Sequence, residues 1–386
     1  MFEGFSEYGK SGFSGIGEYF EDTGTVPDTP LIELLNLNDK NLKPFTKNLL
    51  DSNELSEDVQ SLLTELSRGI NALFQFQDIL DISLDPDDSD VINRHYPYFE
   101  SLVYLRESVV SWLDRNVLAA LTLLRPFLEL SVLHIYWFLQ CRERNYKPYY
   151  DWLKQDKGKP SFRDALDYVF DNVPAKVWVT EQRLQELKQV ISNSYKTLCA
   201  YNHTPKMDES ITAKSEGFGN VSLEVFYYYF HIVTILLRQV VYLFILTYPM
   251  SLFPIEKHTK WGFGGPVGLF FDKINYTRLE TYIGSENITT LKQALSSMPY
   301  VESLIEWVDS FPTLTLEEID ADWERLGQDE PYFKKPDVNN LFQRLAFMKG
   351  YNRSLTWAMN YIVEHTQDVD IPNEVIEKIR KQVRNW

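Results

Sequence analysis

The sequence predicts an all-α protein: a helical bundle over 31–250, an irregular connector at 251–275, a second helical lobe over 276–386 and a flexible tail at 1–30. Three observations carry this reading. Apolar residues recur at helical spacing through most of the chain. Two long runs, 117–140 and 222–249, are almost wholly apolar. Between the runs stand helix-ending clusters, such as DPDDSD at 85–90 and CRERNYKP at 141–148.

The tail carries six glycines and the aromatics Phe2, Phe5, Tyr8, Phe13, Tyr19 and Phe20. Gly and Ser dilute any periodic pattern there, so no packed element is expected. From Leu55 the positions Val59, Leu62, Leu63, Leu66, Ile70, Leu73 and Phe74 follow a helical period that continues to Leu80. A second helix is expected over Tyr98–Trp112 and a third over 117–140, ended by the charges and Pro148 of the next segment. Shorter helices are expected at 148–156 and 161–172. A longer one follows at 180–202, with Thr180 as its N-cap and Leu184, Leu187, Ile191, Leu198 and Tyr201 on one face.

The run at 225–247 has the length of a membrane span, but it contains His231, Arg238 and Gln239; the run at 117–139 contains Arg125, Glu129 and His134. An arginine near a bilayer centre costs about 2.5–3.5 kcal/mol even on insertion scales. Buried helices of a bundle explain both compositions without that penalty. After Pro249 a Gly- and Pro-rich stretch reads as a connector, with room for a short hairpin at 261–272. Helical spacing returns at 276–284, 287–309, 315–326, 336–366 and 372–385, and Thr315 with Glu318 forms a capping-box pattern.

At 386 residues the chain can bury a large core, and an aromatic share of 15% must fill that interior or mark contact surfaces. Residues 1–100 hold 20 acidic against 6 basic residues, a balance of −14; the remainder holds 35 against 32, or −3. Broad attraction to nucleic acid is therefore disfavoured over the first hundred residues. Cys141 and Cys199 form neither a disulfide framework nor a CxxC pair, and the start MFEGFSEYGK lacks a basic and apolar leader. A reducing cytoplasm is the expected location.

No phosphate-loop, dinucleotide-binding, nucleophile-elbow or HExxH motif occurs. Pro266 removes an amide from GFGGPVG at 262–268, which reads as a turn. The six histidines show no paired ligand spacing, so neither a metal nor a cofactor is expected. Two polar sites remain on apolar helices. In RPFLE, Arg125 and Glu129 stand four apart, one above the other on a helix face, as an ion pair would. In SYKTLCAYNHTP (194–205), Asn202 and His203 close a helix. A histidine there either bonds the terminal carbonyls or acts as a general acid or base near neutral pH.

These two segments, LLRPFLELSVLHIYWFL and SYKTLCAYNHTP, resemble the HEPN-like helical proteins of bacteria, over about residues 55–250. In several branches of that family a long helix carries Arg with Glu four residues later, and a later helix ends in Tyr-x-x-Leu before a histidine. Arg125, Glu129, Tyr195, Leu198 and His203 occupy those places. The resemblance implies a bundle that commonly dimerises and, in active members, a metal-independent ribonuclease. The histidine would move a proton at the RNA 2′-hydroxyl and an arginine would neutralise the phosphate.

This chain departs from the family motif where the arginine should stand. Lys196 lies seven residues before His203, one step outside the usual window, and Asn202 abuts the histidine. Arg125 or Lys196 would have to replace the missing cation, and a lysine offers a point charge in place of a fork. The sequence therefore favours a cytoplasmic protein acting through protein contacts in stress response or phage defence, as a homodimer or with another protein. Two other readings stay open: a ribonuclease using His203 with Asn202, Arg125, Glu129 and Lys196, and a membrane-associated protein using 225–247. Basic segments at 141–148, at Lys154, Lys157 and Lys159, and at 377–386 would support RNA binding if they met beside His203.

Overall fold

The computed structural model describes residues 57–80, 95–114, 116–141, 147–154, 160–202, 223–256 and 271–310, with a few isolated positions beyond them. Of these residues 86% are helical and none lies in a strand. The helices are α1 (Glu57–Gln75), α2 (Tyr96–Leu113), α3 (Val117–Cys141), α4 (Lys147–Leu153), α5 (Phe162–Asn172), α6 (Glu181–Asn202), α7 (Leu223–Thr247), α8 (Lys273–Ile283), α9 (Ser285–Leu295) and α10 (Pro299–Asp309). His203, the 261–272 segment up to residue 270, and the expected helices at 336–366 and 372–385 lie outside the described residues.

Local chemistry sets the helix ends. Ser161 Oγ accepts the Asp164 amide at 3.1 Å, Thr180 Oγ1 accepts the Arg183 amide at 3.4 Å, and Asp272 Oδ1 accepts the Asn275 amide at 2.7 Å. The expected capping box is present: the Thr315 amide donates to Glu318 Oε2 at 2.9 Å and the Glu318 amide to Thr315 Oγ1 at 3.2 Å. The periodic stretch 287–309 is two helices, because Pro299 opens α10 and disfavours helical geometry at the residue before it. Gly284, at φ +92°, makes the one-residue corner between α8 and α9.

α2 and α3 form an antiparallel pair. Ser108 Oγ donates to the Ala120 carbonyl at 2.7 Å and lies 2.8 Å from the Tyr229 hydroxyl of α7, while the Trp112 ring stacks on Tyr229. α7 runs parallel to α3, since Tyr229 meets Ser108, which is bonded to Ala120 in the first turn of α3, and Tyr248 meets His134 near its far end. α1 lies parallel to α7, with Glu65 beside Arg238 and Phe76 against Phe244. α8 returns antiparallel to α1, placing Arg278 at Gln75 and Tyr282 at Gly69.

The two apolar runs are the centre of this assembly. By length and composition alone both α3 and α7 could cross a membrane, but 56% and 72% of their most apolar windows are buried inside the protein. Leu121, Leu124, Leu128 and Val132 of α3, and Val233, Leu237, Val240 and Phe244 of α7, are fully buried. The described part of the C-terminal segment packs on the same interior: Leu279, Ile288, Leu295 and Val301 belong to one continuous apolar core with α1, α3 and α7. At about 25 cal/mol per Å² of apolar surface, each such side chain contributes about 1.5–3 kcal/mol when buried.

Candidate functional site

Arg125 and Glu129 do form the ion pair their spacing predicts. Arg125 Nε donates to Glu129 Oε1 at 2.9 Å, with the two side chains 28% and 17% exposed. The third member comes from α6. The Tyr195 hydroxyl donates to the same oxygen, Glu129 Oε1, at 2.9 Å, and Arg125 Nη2 donates to the Tyr195 oxygen at 3.4 Å. The Arg125 guanidinium also lies 5.5 Å from the centre of the Tyr195 ring. On its other side that ring stacks on Phe162 of α5 at 3.9 Å, so the cluster joins three helices. Pro126 follows Arg125 directly and removes the amide that would have donated to the Thr122 carbonyl.

The electrostatics fix the protonation states. Burial lowers the Arg125 pKa, but the hydrogen bond and charge of Glu129 outweigh it and leave the guanidinium above its ordinary value. Burial first, then the bond to Glu129 and the neighbouring Cys199, raise the Tyr195 phenol well above its usual range. Arginine stays cationic and tyrosine neutral, an arrangement that holds charge in place and offers no proton for transfer near neutral pH.

Of the remaining predicted residues, Asn202 and Lys196 belong to α6, and His203 lies outside the described residues. α6 is antiparallel to α7, with Ser194 bonded to Gln239 and Tyr201 to Tyr228, and therefore antiparallel to α3. Asn202 closes α6 about 10 Å beyond Tyr195, at 1.5 Å per residue, toward the start of α3. Lys196 is exposed, whereas Leu198 is fully buried and anchors the helix. Of the basic segments, Lys147 and Lys154 sit on or just after α4, whose Tyr149 and Trp152 pack on Trp137 near the C-terminal end of α3. That is the opposite end of α3 from Asn202. Lys157, Lys159 and 377–386 lie outside the described residues.

One constellation is not legible in the sequence. His95, at the start of α2, and His134 of α3 bring their rings to 5.6 Å, inside a cluster with Tyr98, Phe244 and Tyr248. His134 Nε2 lies 3.0 Å from the Tyr248 hydroxyl, and its ring stacks on Phe244 at an interplanar angle of 13°. Burial, reinforced by His95, holds the His134 pKa well below its ordinary value, so its imidazole is neutral. Among the described residues no group of three or more His, Cys, Asp or Glu side chains is placed to hold a metal ion. No family model matches the chain, and neither does any curated protein or solved structure.

Proposed function

We propose that this chain is a HEPN-like helical protein of the bacterial cytoplasm that acts through protein contacts, as a homodimer or with another protein, in stress response or phage defence. In this reading the Arg125–Glu129–Tyr195 cluster is a clamp between α3, α5 and α6, not a nuclease centre. One observation carries it: the Arg125 guanidinium is held by Glu129 and Tyr195. The Glu129 carboxylate compensates its charge, which weakens its attraction to an RNA phosphate. The placement of Lys147 and Lys154 at the opposite end of α3 supports the same reading.

The test is cleavage of mixed RNA by the purified chain in the presence of a metal chelator, beside His203→Ala. No cleavage above buffer is expected from either protein. Metal-independent cutting by the wild type, lost in His203→Ala, overturns the reading in favour of a ribonuclease. Light scattering across a concentration series tests the homodimer, which is expected to give twice the 45.3 kDa chain mass.

A further inference from the structure

A cleft of about 530 Å³ opens between α1, α7 and α8 and shares no residue with the Arg125 cluster. Its volume is that of a small-molecule site, but its walls are polar. Ser61, Thr64 and Arg68 line it from α1, Arg238 from α7 and Thr281 from α8. The Tyr282 ring, 5% exposed, forms a firm wall: its hydroxyl donates to the Thr234 carbonyl at 3.4 Å, and a Cβ on Gly69 would come within 2.9 Å of it.

Arg238 is the only Lys or Arg of α7, an otherwise greasy helix, and it reaches the cleft with 52% of its side chain exposed. Glu65 meets it through a single contact at 3.3 Å, and the Tyr282 ring centre lies 5.7 Å from its Cζ. An exposed, single-contact ion pair of that kind is weak and yields readily to a competing anion. The lining carries two guanidinium groups and one carboxylate. Guanidinium groups from two packed helices, with the Ser61 and Thr64 hydroxyls on the same lining, match a tetrahedral anion that presents several oxygens better than a planar carboxylate.

We propose that this cleft binds a small phosphate monoester, with Arg238 and Arg68 clamping the phosphate, the Ser61 and Thr64 hydroxyls donating to its oxygens, and Glu65 as the carboxylate that the ligand displaces from Arg238. The proposal stands independently of what the Arg125 cluster does.

Calorimetric titration of the full chain with inorganic phosphate and with glycerol 3-phosphate, at matched chloride ionic strength, tests it, with glycerol as control. Both phosphates are expected to bind saturably at one site and glycerol not at all. Arg238→Gln weakens binding by at least about tenfold, the equivalent of one charge-assisted hydrogen bond. Arg238→Lys weakens it less, and Glu65→Gln tightens it. Absence of saturable binding, glycerol binding as well as its phosphate, or an Arg238→Gln protein with wild-type affinity overturns the proposal. Should Arg238→Gln fail to fold, Glu65→Gln decides: weaker binding in that variant also overturns it.

Discussion

The hydroxyl of Tyr195 and the carboxylate of Glu129 meet at 2.9 Å across the α3–α6 interface, on the oxygen that also accepts from Arg125. Because the Tyr195 ring is separately held by its stack on Phe162, the hydrogen bond can be removed without disturbing the packing. Tyr195→Phe should cost about 1 kcal/mol, below the range of about 1.5–3 for a bond to a charged group because the site is partly exposed. In a Glu129→Gln background the same change should cost less, with a coupling of at least about 0.5 kcal/mol in denaturant melts. Strict additivity of the two changes would show that the three groups do not act as a unit.

Acid should weaken the fold through His134. Its folded pKa lies below the value of about 6.5 expected in an unfolded chain, so the unfolded chain takes up the proton first. The stability held by the neutral imidazole is complete above about pH 6.5. It falls as pH drops below that value, by up to about 1.4 kcal/mol per pH unit from this group. The side chains facing it are His95, Tyr98, Phe244 and Tyr248, and none of them carries a negative charge near neutrality to stabilise an imidazolium. Thermal melts between pH 8 and pH 5 should show the loss, and His134→Gln, which cannot take up that proton, should flatten the profile. An unchanged profile in the variant would assign the acid sensitivity to other groups.

Gly69 should not accept alanine. In a helix interior that change ordinarily gains about 1 kcal/mol. Here the new methyl group would meet Tyr282 Cζ and Oη at 2.9 Å, against a ring that is buried and bonded to Thr234. Overpacking of this kind costs about 1–3 kcal/mol, so the balance is destabilising by up to about 2 kcal/mol. Tyr282→Leu should relieve the clash, and Gly69→Ala in that background should become neutral or stabilising. A Gly69→Ala protein that melts above the wild type would show that the ring gives way freely.

Much of the helical layout is legible in periodicity and in stop signals, as with α3, which begins after LDRN and ends before CRERNYKP. The pairing of Arg125 with Glu129 is legible too, because a four-residue spacing on one helix is a local geometric fact. Tyr195 is different: its spacing says nothing of α3, and only the family resemblance pointed to it. His95 and His134 escape any spacing rule, since their approach depends on how the α2–α3 hairpin folds back on itself. Arg238 shows the same limit. A lone cation on a greasy helix reads as an argument against a membrane, and only the packing of α1 and α8 around it makes it part of a cleft. Pro299 was visible, but its effect, two helices in place of one, needed the backbone geometry before it.

The join between Gln75 and Arg278 has a consequence for biosynthesis. The two residues are 203 positions apart, and α8 packs antiparallel on α1. At a translation rate of about 5–20 residues per second, α1 leaves the ribosome about 10–40 s before its partner is made. Through that interval Ile70, Leu73 and Phe76 belong to a nascent chain whose interior is unfinished, and a message cut short before codon 273 would release a product with that seam exposed. Helices α8–α10 are therefore what turns a sticky intermediate into a more complete core.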